Sequence, residues 1–113
     1  MEIKHKVWIE KEGKVIFGQG REDILTAVRD MHSLNAAAKK LQMSYRAAWG
    51  RLKASEERMG MKLVETDASE KGMHLTPKAE ALINRFEALE RDLTDLLAKA
   101  NSDFQKLIQE PKK

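Results

Sequence analysis

The side chains in this sequence that are best suited to chemistry are cations concentrated in one short stretch. Residues 33–55 contain five basic side chains and no acidic one. The five are Lys39, Lys40, Arg46, Arg51 and Lys53. Such a local field attracts polyanions such as nucleic acids. A solvated helix face carries similar charges, so the organisation of the segment has to separate the two interpretations.

This cation surplus is local and is hidden in the average. The 113 residues carry 21 basic and 18 acidic groups, a net charge of +3. Residues 33–66 hold seven basic and three acidic groups, residues 1–32 hold six of each, and residues 67–113 hold eight and nine. The whole surplus therefore lies in residues 33–66, which we take as the candidate binding segment.

The residue types that catalysis or metal binding would need are missing or badly placed. There is no cysteine, which excludes thiolate zinc sites and cysteine nucleophiles. His5, His32 and His74 are far apart in the sequence and have no ligand spacing. Glu56 and Glu57 are predicted on a solvated helix face, so acid–base catalysis has no support. We expect no enzyme, no metal site and no cofactor, and the length excludes a large enzyme with its own cofactor domain.

The sequence also carries no pattern that directs it to a membrane. No apolar run approaches 18 residues, which a membrane-spanning helix would need. Residues 1–6 lack the apolar core of a signal peptide. We therefore expect a cytoplasmic protein.

The elements that must position the cations begin with a β-hairpin. Apolar or ring-bearing residues alternate at Ile3, His5, Val7 and Ile9, and this period of two predicts a strand over residues 3–10. A turn at 11–14 and a second strand at 15–17 would complete the hairpin.

Three helices follow, and the cations belong to the second and third. The apolar spacing predicts helices at 21–32, 33–41 and 44–59, with Ser33 and Ser44 as N-caps and Gly60 as C-cap. Small residues allow the second and third helices to cross closely: Ala36, Ala37, Ala38, Ala47 and Ala48. Strands at 63–66 and 73–75, joined by a polar turn, then form a wing.

These elements together match the plan of a winged helix-turn-helix. The predicted fold class is α+β, mainly α, with the winged helix-turn-helix in residues 1–76. Thr76 and Pro77 open a further helix that continues to about Gln109. We predict that residues 77–113 form a dimerisation coiled coil.

The last helix is predicted to pair because its apolar residues follow a heptad pattern. The seam consists of Leu82, Phe86, Leu89, Leu93, Leu96 and Ala100. Steps of three and four residues alternate along it, as in a coiled coil. About 30 helical residues reach roughly 45 Å, longer than a small domain covers from its own chain. The first turns, near Leu82, are expected to pack in their own core, and a partner helix is expected beyond Leu93.

In this motif the N-terminal part of the second helix enters the major groove. Arg46 has the geometry to read guanine through two hydrogen bonds, Tyr45 suits a thymine methyl or a phosphate, and Gly50 permits close approach. Trp49 suits either the core or the DNA. The predicted DNA-binding residues are Ser33, Asn35, Ser44, Tyr45, Arg46, Trp49, Gly50, Arg51, Lys53 and Lys71. His74 is also expected at the wing.

Residues 33–49 resemble the N-terminal DNA-binding domain of ModE, the bacterial molybdate-responsive transcriptional regulator. The run Met43-Ser44-Tyr45-Arg46-Ala47-Ala48-Trp49 is the most specific part. More distantly, the chain is similar to the LysR-type winged helix. The resemblance covers about residues 15–97 and implies operator binding as a dimer. ModE proteins carry molybdate-binding domains after this region, so no molybdate site is expected in this chain.

We therefore expect a sequence-specific DNA-binding transcriptional regulator that acts as a homodimer on double-stranded DNA. The alternative is a winged-helix adaptor that binds proteins and not DNA. The acid-free stretch 33–55 favours DNA, because an adaptor has no need to exclude carboxylates from that surface.

Overall fold

The computed structural model describes residues 1–66 and 72–109, and it is mainly helical with two small sheets, as the sequence predicts. The elements in chain order are β1 (Trp8–Lys11), β2 (Lys14–Gly18), α1 (Gln19–Met31), α2 (Leu34–Lys40), α3 (Tyr45–Met59), β3 (Val64–Thr66), β4 (Met73–Leu75) and α4 (Pro77–Gln109). None of these helices is both long and apolar enough to cross a membrane.

The N-terminal hairpin is shorter than its alternating pattern suggests. β1 and β2 pair antiparallel, and Glu12 and Gly13 form the turn with positive φ angles of 53° and 77°. Two positive φ values in a two-residue loop fit the right-handed twist of a hairpin. The predicted strand over 3–10 is wrong before Trp8. Trp8 pairs with Gly18, and α1 begins at the next residue, so residues 3–7 have no strand to pair with.

The helix boundaries follow local capping chemistry. The Ser44 hydroxyl accepts a hydrogen bond from the Ala47 N–H at 3.0 Å, and Gly60 closes α3 with a φ of 67°. Thr76 caps α4 by accepting from the Ala79 N–H at 3.1 Å. Its hydroxyl also donates to the Lys62 carbonyl at 2.9 Å. These caps confirm the predicted starts of α3 and α4.

The core belongs to one of two compact units. That unit spans Val7–Ile83 and contains the helix-turn-helix, the wing and the first turns of α4. Its fully buried apolar side chains include Phe17, Ile24, Leu25, Val28, Leu52, Leu63 and Ile83. The other unit consists of Met1–Lys6 and the chain from Asn84 onward. In it, the side-chain amide of Asn101 donates to the Met1 carbonyl at 3.4 Å.

The wing is fixed to the end of α1 by backbone contacts. β3 and β4 pair antiparallel, with Val64 opposite Leu75. The Met73 N–H donates to the His32 carbonyl at 2.8 Å. Gly72 precedes this bond with a φ of 94°, and a Cβ at Gly72 would overlap the His32 carbonyl oxygen. A side chain at Gly72 is therefore excluded both by its backbone conformation and by space.

Gly72→Ala is therefore expected to destabilise the domain by about 3 kcal/mol or more, because it adds the overlap with His32 to the strain of a positive φ. Gly60→Ala is the matched control, since Gly60 also has a positive φ but nothing lies within 4 Å of an added Cβ. The control should lose only about 1–2 kcal/mol. Urea unfolding measures both, and equal losses would contradict the close approach.

Candidate nucleic-acid interface

The helix-turn-helix is closed by two capped helices and a short turn. The Ser33 hydroxyl accepts from the Ala36 N–H at 3.1 Å, which confirms it as the N-cap of α2. Between the helices, the Met43 N–H donates to the Ala38 carbonyl at 3.0 Å, and Gln42 has a φ of 58°. Ser33 and Ser44 therefore mark the N-termini of α2 and α3, where backbone N–H groups favour phosphate oxygens.

Small residues set the distance between α2 and α3. Ala37, Ala38 and Ala48 are buried, and Leu52 fills the space behind them. Side chains no larger than a methyl group at the crossing allow two helices to approach closely. This packing leaves one side of α3 exposed among the residues that the structure describes.

Five of the ten predicted DNA-binding residues are exposed on α3. Those on α3 that are exposed are Tyr45, Arg46, Trp49, Gly50 and Arg51, and Asn35 is exposed on the first turn of α2. The Arg46 side chain forms no hydrogen bond or ion pair with any residue that the structure describes. Arg46 is exposed on the first turn of α3. A Cβ at Gly50 would meet no atom within 4 Å, so this point of α3 is open to close approach.

Trp49 lies at the surface and not in the core. Its side chain is 41% exposed, and that of Tyr45 is 50% exposed. The two rings are nearly parallel, with an interplanar angle of 9° and centroids 6.4 Å apart. Of the two positions that the sequence allows for Trp49, the structure excludes the core.

Lys53 is held in place, unlike Arg46. Its ammonium lies 4.4 Å from the centre of the Trp49 ring and 3.0 Å from a carboxylate oxygen of Glu56. Ammonium over an indole face is the favourable geometry of a cation–π contact. The positive charge of Lys53 is thus already paired within the chain, although the sequence suggests a phosphate contact at this position.

Glu56 is buried, so the prediction of a solvated carboxylate at this position is wrong. Its second carboxylate oxygen accepts hydrogen bonds from the Leu63 N–H at 2.8 Å and the Val64 N–H at 3.3 Å. These two N–H groups start the wing and need an acceptor because they are buried. Glu56 therefore joins α3 to the base of the wing.

The hydrogen bonds of Glu56 determine its ionisation. Burial alone raises the pKa of this carboxyl, but the hydrogen bonds from Leu63, Lys53 and Val64 and the charge of Lys53 together lower the pKa below its ordinary value. A carboxylate whose pKa is lowered in the folded state stabilises the fold at every pH above the ordinary pKa. That contribution is lost as the pH falls through the lower, folded-state pKa.

Glu56→Gln is expected to reduce the free energy of unfolding by about 1–3 kcal/mol at pH 7, because the charge-assisted hydrogen bonds are lost. The difference from the parent protein should shrink as the pH falls below about 4.3, the ordinary glutamate pKa. Urea unfolding of the variant and the parent protein across this pH range measures the difference in the free energy of unfolding. Glu57→Gln, at the exposed neighbour, is the control and should cost almost nothing. A Glu56→Gln difference that is independent of pH would contradict the pKa shift.

Arg51 belongs to a second group of cations, together with Arg21 of α1 and Arg58 of α3. Burial, followed by the charges of Arg58 and Arg51, lowers the pKa of Arg21. The Arg21 Nε donates to the Ser55 hydroxyl at 3.0 Å, and Arg58 donates to the Val15 carbonyl at 2.7 Å. Arg51 itself is exposed at the edge of this group. The sequence alone does not indicate that Arg21 and Arg58 lie near the site, because only the fold brings α1 beside α3.

Two of the residues singled out in the sequence, Lys71 and His74, were predicted at the wing. Lys71 lies outside the described residues. His74 is half-buried, and its ring centroid lies 5.1 Å from that of His32, so these two histidines are close in the fold although far apart in the sequence. Residues 1–66 and 72–109 contain no group of three or more potential ligands that could hold a metal ion.

Lys62, which the sequence did not single out, lines a groove with Trp49 and Lys53.

The apolar seam of α4 is only partly exposed. Leu89 is 39% and Leu96 is 61% exposed, while Leu82, Leu93 and Ala100 are half-buried. Phe86 is the exception at 2% exposed. A side chain buried within its own chain offers a partner no surface, so we remove Phe86 from the predicted interface. Phe104, Leu107 and Ile108 continue the exposed apolar surface.

A helix-turn-helix followed by a two-stranded wing defines a winged helix-turn-helix protein. Residues 23–80, just over half of the chain, match the bacterial regulatory helix-turn-helix proteins of the lysR family. The chain belongs to this family. The family is regulatory, which agrees with the expectation that the chain is not an enzyme.

One curated relative is the molybdenum-pterin-binding protein MopB of Rhodobacter capsulatus. The two sequences are 33% identical over 94 residues, which cover 80% of this chain and 33% of MopB. The chain therefore spans about a third of the length of this relative. With the lysR family match, this similarity confirms the two resemblances noted from the sequence.

Two solved structures show the same fold. DarR of Vibrio fischeri, in complex with DNA, has a TM-score of 0.59 at 19% identity, covering 80% of this chain and 30% of DarR. The BenM DBD, in complex with benA site 1 DNA, has a TM-score of 0.59 at 17% identity, covering 84% of this chain and all of that one. At these identities the likeness concerns the fold.

Proposed function

We propose that this chain binds operator DNA sequence-specifically as a homodimer and thereby regulates transcription. The observation that carries the proposal is the exposed surface of α3 over residues 45–55, which contain no acidic side chain and in which the Arg46 side chain has no partner among the described residues. Membership of a regulatory helix-turn-helix family and the DNA complexes of DarR and BenM support it. Because a bacterial chromosome lies in the cytoplasm, we place the protein there.

In the proposed complex, the N-terminal half of α3 lies in the major groove. Arg46 donates two hydrogen bonds to guanine O6 and N7, the most common specific contact. Gly50 lets the helix backbone come near the bases. Ser33 and Ser44 present helix N-termini to phosphates, and Asn35 and Arg51 add polar contacts at the edges. Lys71 remains a proposed wing contact.

The second half of the proposal is the dimer. The seam of α4 without Phe86 would pack against the same seam of a second copy; it consists of the exposed Leu89 and Leu96 and the half-buried Leu82, Leu93 and Ala100. A two-fold dimer of this kind places its two recognition helices in successive major grooves, about 34 Å apart. The operator should then be an inverted repeat whose half-sites lie one helical turn apart.

Titration of labelled duplex DNA with the full chain, followed by fluorescence anisotropy at several salt concentrations, tests DNA binding itself. If the dimer contacts six or more phosphates, the affinity should fall about 10³-fold between 50 and 200 mM salt. No binding at low salt would refute the proposal and favour the protein-binding adaptor.

A further inference from the structure

A continuous series of contacts joins the base of the wing to the N-terminus of α3. The Leu63 and Val64 N–H groups donate to one oxygen of Glu56, and its other oxygen binds the Lys53 ammonium. Lys53 lies over the Trp49 ring, and this ring is parallel to that of Tyr45. The series ends at the first residue of α3, the part of the helix expected nearest the bases.

The position of Lys53 is unsuited to binding a phosphate. To reach one, the ammonium would have to leave the Glu56 carboxylate, which is buried and would then lack its counter-charge. It would also lose the indole face of Trp49. Arg46 and Lys62, by contrast, form no ion pair with any described residue.

We propose that Lys53 is a positioning residue, which fixes the parallel rings of Trp49 and Tyr45 as a rigid apolar surface that recognises thymine methyl groups in the major groove. The proposal rests on the proposed operator binding and names part of its specificity. Glu56 sets the position of Lys53, and Lys53 sets that of Trp49. Tyr45 and Trp49 are half-exposed aromatic groups one helical turn apart, so together they can cover neighbouring base pairs.

Thymine methyl is the group that fits this surface. It is the apolar group that the major groove displays, and side chains recognise it by apolar contact. Aromatic rings offer a large contact area with little conformational freedom to lose. A ring held by Lys53 loses still less on binding, so the wing and the helix act together in base recognition.

Deoxyuridine substitution tests the contact, because deoxyuridine lacks only the methyl group of thymine. The probe is a duplex selected by the full chain from a random pool, with each thymine replaced in turn. One or two replacements per half-site should weaken binding about fourfold each, the effect of burying one methyl group. In Trp49→Leu and Lys53→Met, this penalty should largely disappear.

The salt dependence of binding separates positioning from phosphate contact. Lys53→Met should leave the slope of log affinity against log salt unchanged, whereas Lys62→Met, the control from the same groove, should reduce it by about one. Lys53→Arg should restore the deoxyuridine penalty, because guanidinium also pairs with carboxylates and stacks on aromatic rings. Circular dichroism verifies that each variant is folded.

Two results would overturn the inference while leaving DNA binding intact. In the first, Lys53→Met reduces the slope of log affinity against log salt by about one and leaves the deoxyuridine penalty unchanged. Lys53 would then be a phosphate contact. In the second, no single replacement of thymine by deoxyuridine weakens binding. If no duplex is bound at all, the proposed function fails and this inference fails with it.

Discussion

Leu89→Asp combined with Leu96→Asp is expected to convert the proposed dimer into a monomer. The two side chains are the most exposed members of the α4 seam, at 39% and 61%, and lie seven residues apart on one face. In a paired helix these positions would be buried between two chains. Four aspartates would then have to lose water without a counter-charge, a cost that the remaining apolar contacts cannot offset.

Light scattering measures the mass directly. The control is Ala81→Asp with Ser102→Asp, which adds the same charge at exposed positions of α4 outside the seam. The control should remain dimeric. Because a linked second half-site adds a factor of about 10²–10⁴ to affinity, the seam variant should also lose that much operator binding. A seam variant that is still a dimer would place the interface elsewhere.

Arg46→Ala is expected to weaken specific operator binding by about 1–3 kcal/mol, equivalent to roughly 5- to 150-fold. The guanidinium is exposed on the first turn of α3 and has no partner among the described residues, so its binding to guanine breaks no contact with those residues. Its loss should relax the sequence preference at one base pair. This second effect identifies base recognition, because a lost phosphate contact weakens all sequences alike.

Arg46→Lys is the matched variant, since lysine keeps the charge but cannot donate two parallel hydrogen bonds to one guanine. It should retain non-specific affinity and lose discrimination. Gel shifts with the selected duplex and with a duplex altered at the affected base pair measure both quantities. Unchanged affinity and specificity in Arg46→Ala would refute the assignment.

Features with local chemical causes could be predicted from the sequence. Ser44, Gly60 and Thr76 determine helix ends through contacts within a few residues, and the structure places these ends as expected. The start of the first strand could not be predicted, because it depends on where β2 ends. Gly18 closes that partner strand, and no feature of residues 3–7 indicates this.

The site shows the same division between local and tertiary causes. The exposure of Arg46 follows from the helix period and the alanines at the α2–α3 crossing. The burial of Glu56 does not, because its partners are backbone N–H groups at the start of the wing. The sequence does not determine whether Trp49 lies in the core or at the surface, for a related reason. A flanking aromatic can turn inward or outward, and here Lys53 and Tyr45 stabilise it at the surface.

The most direct test of the central claim is selection of bound sequences by the full chain from random duplex DNA. Sequence-specific binding by a two-fold dimer predicts enrichment of an inverted repeat whose half-site centres lie about 10 base pairs apart. At least one guanine in each half-site should depend on Arg46. A pool that stays random after repeated rounds would contradict the account.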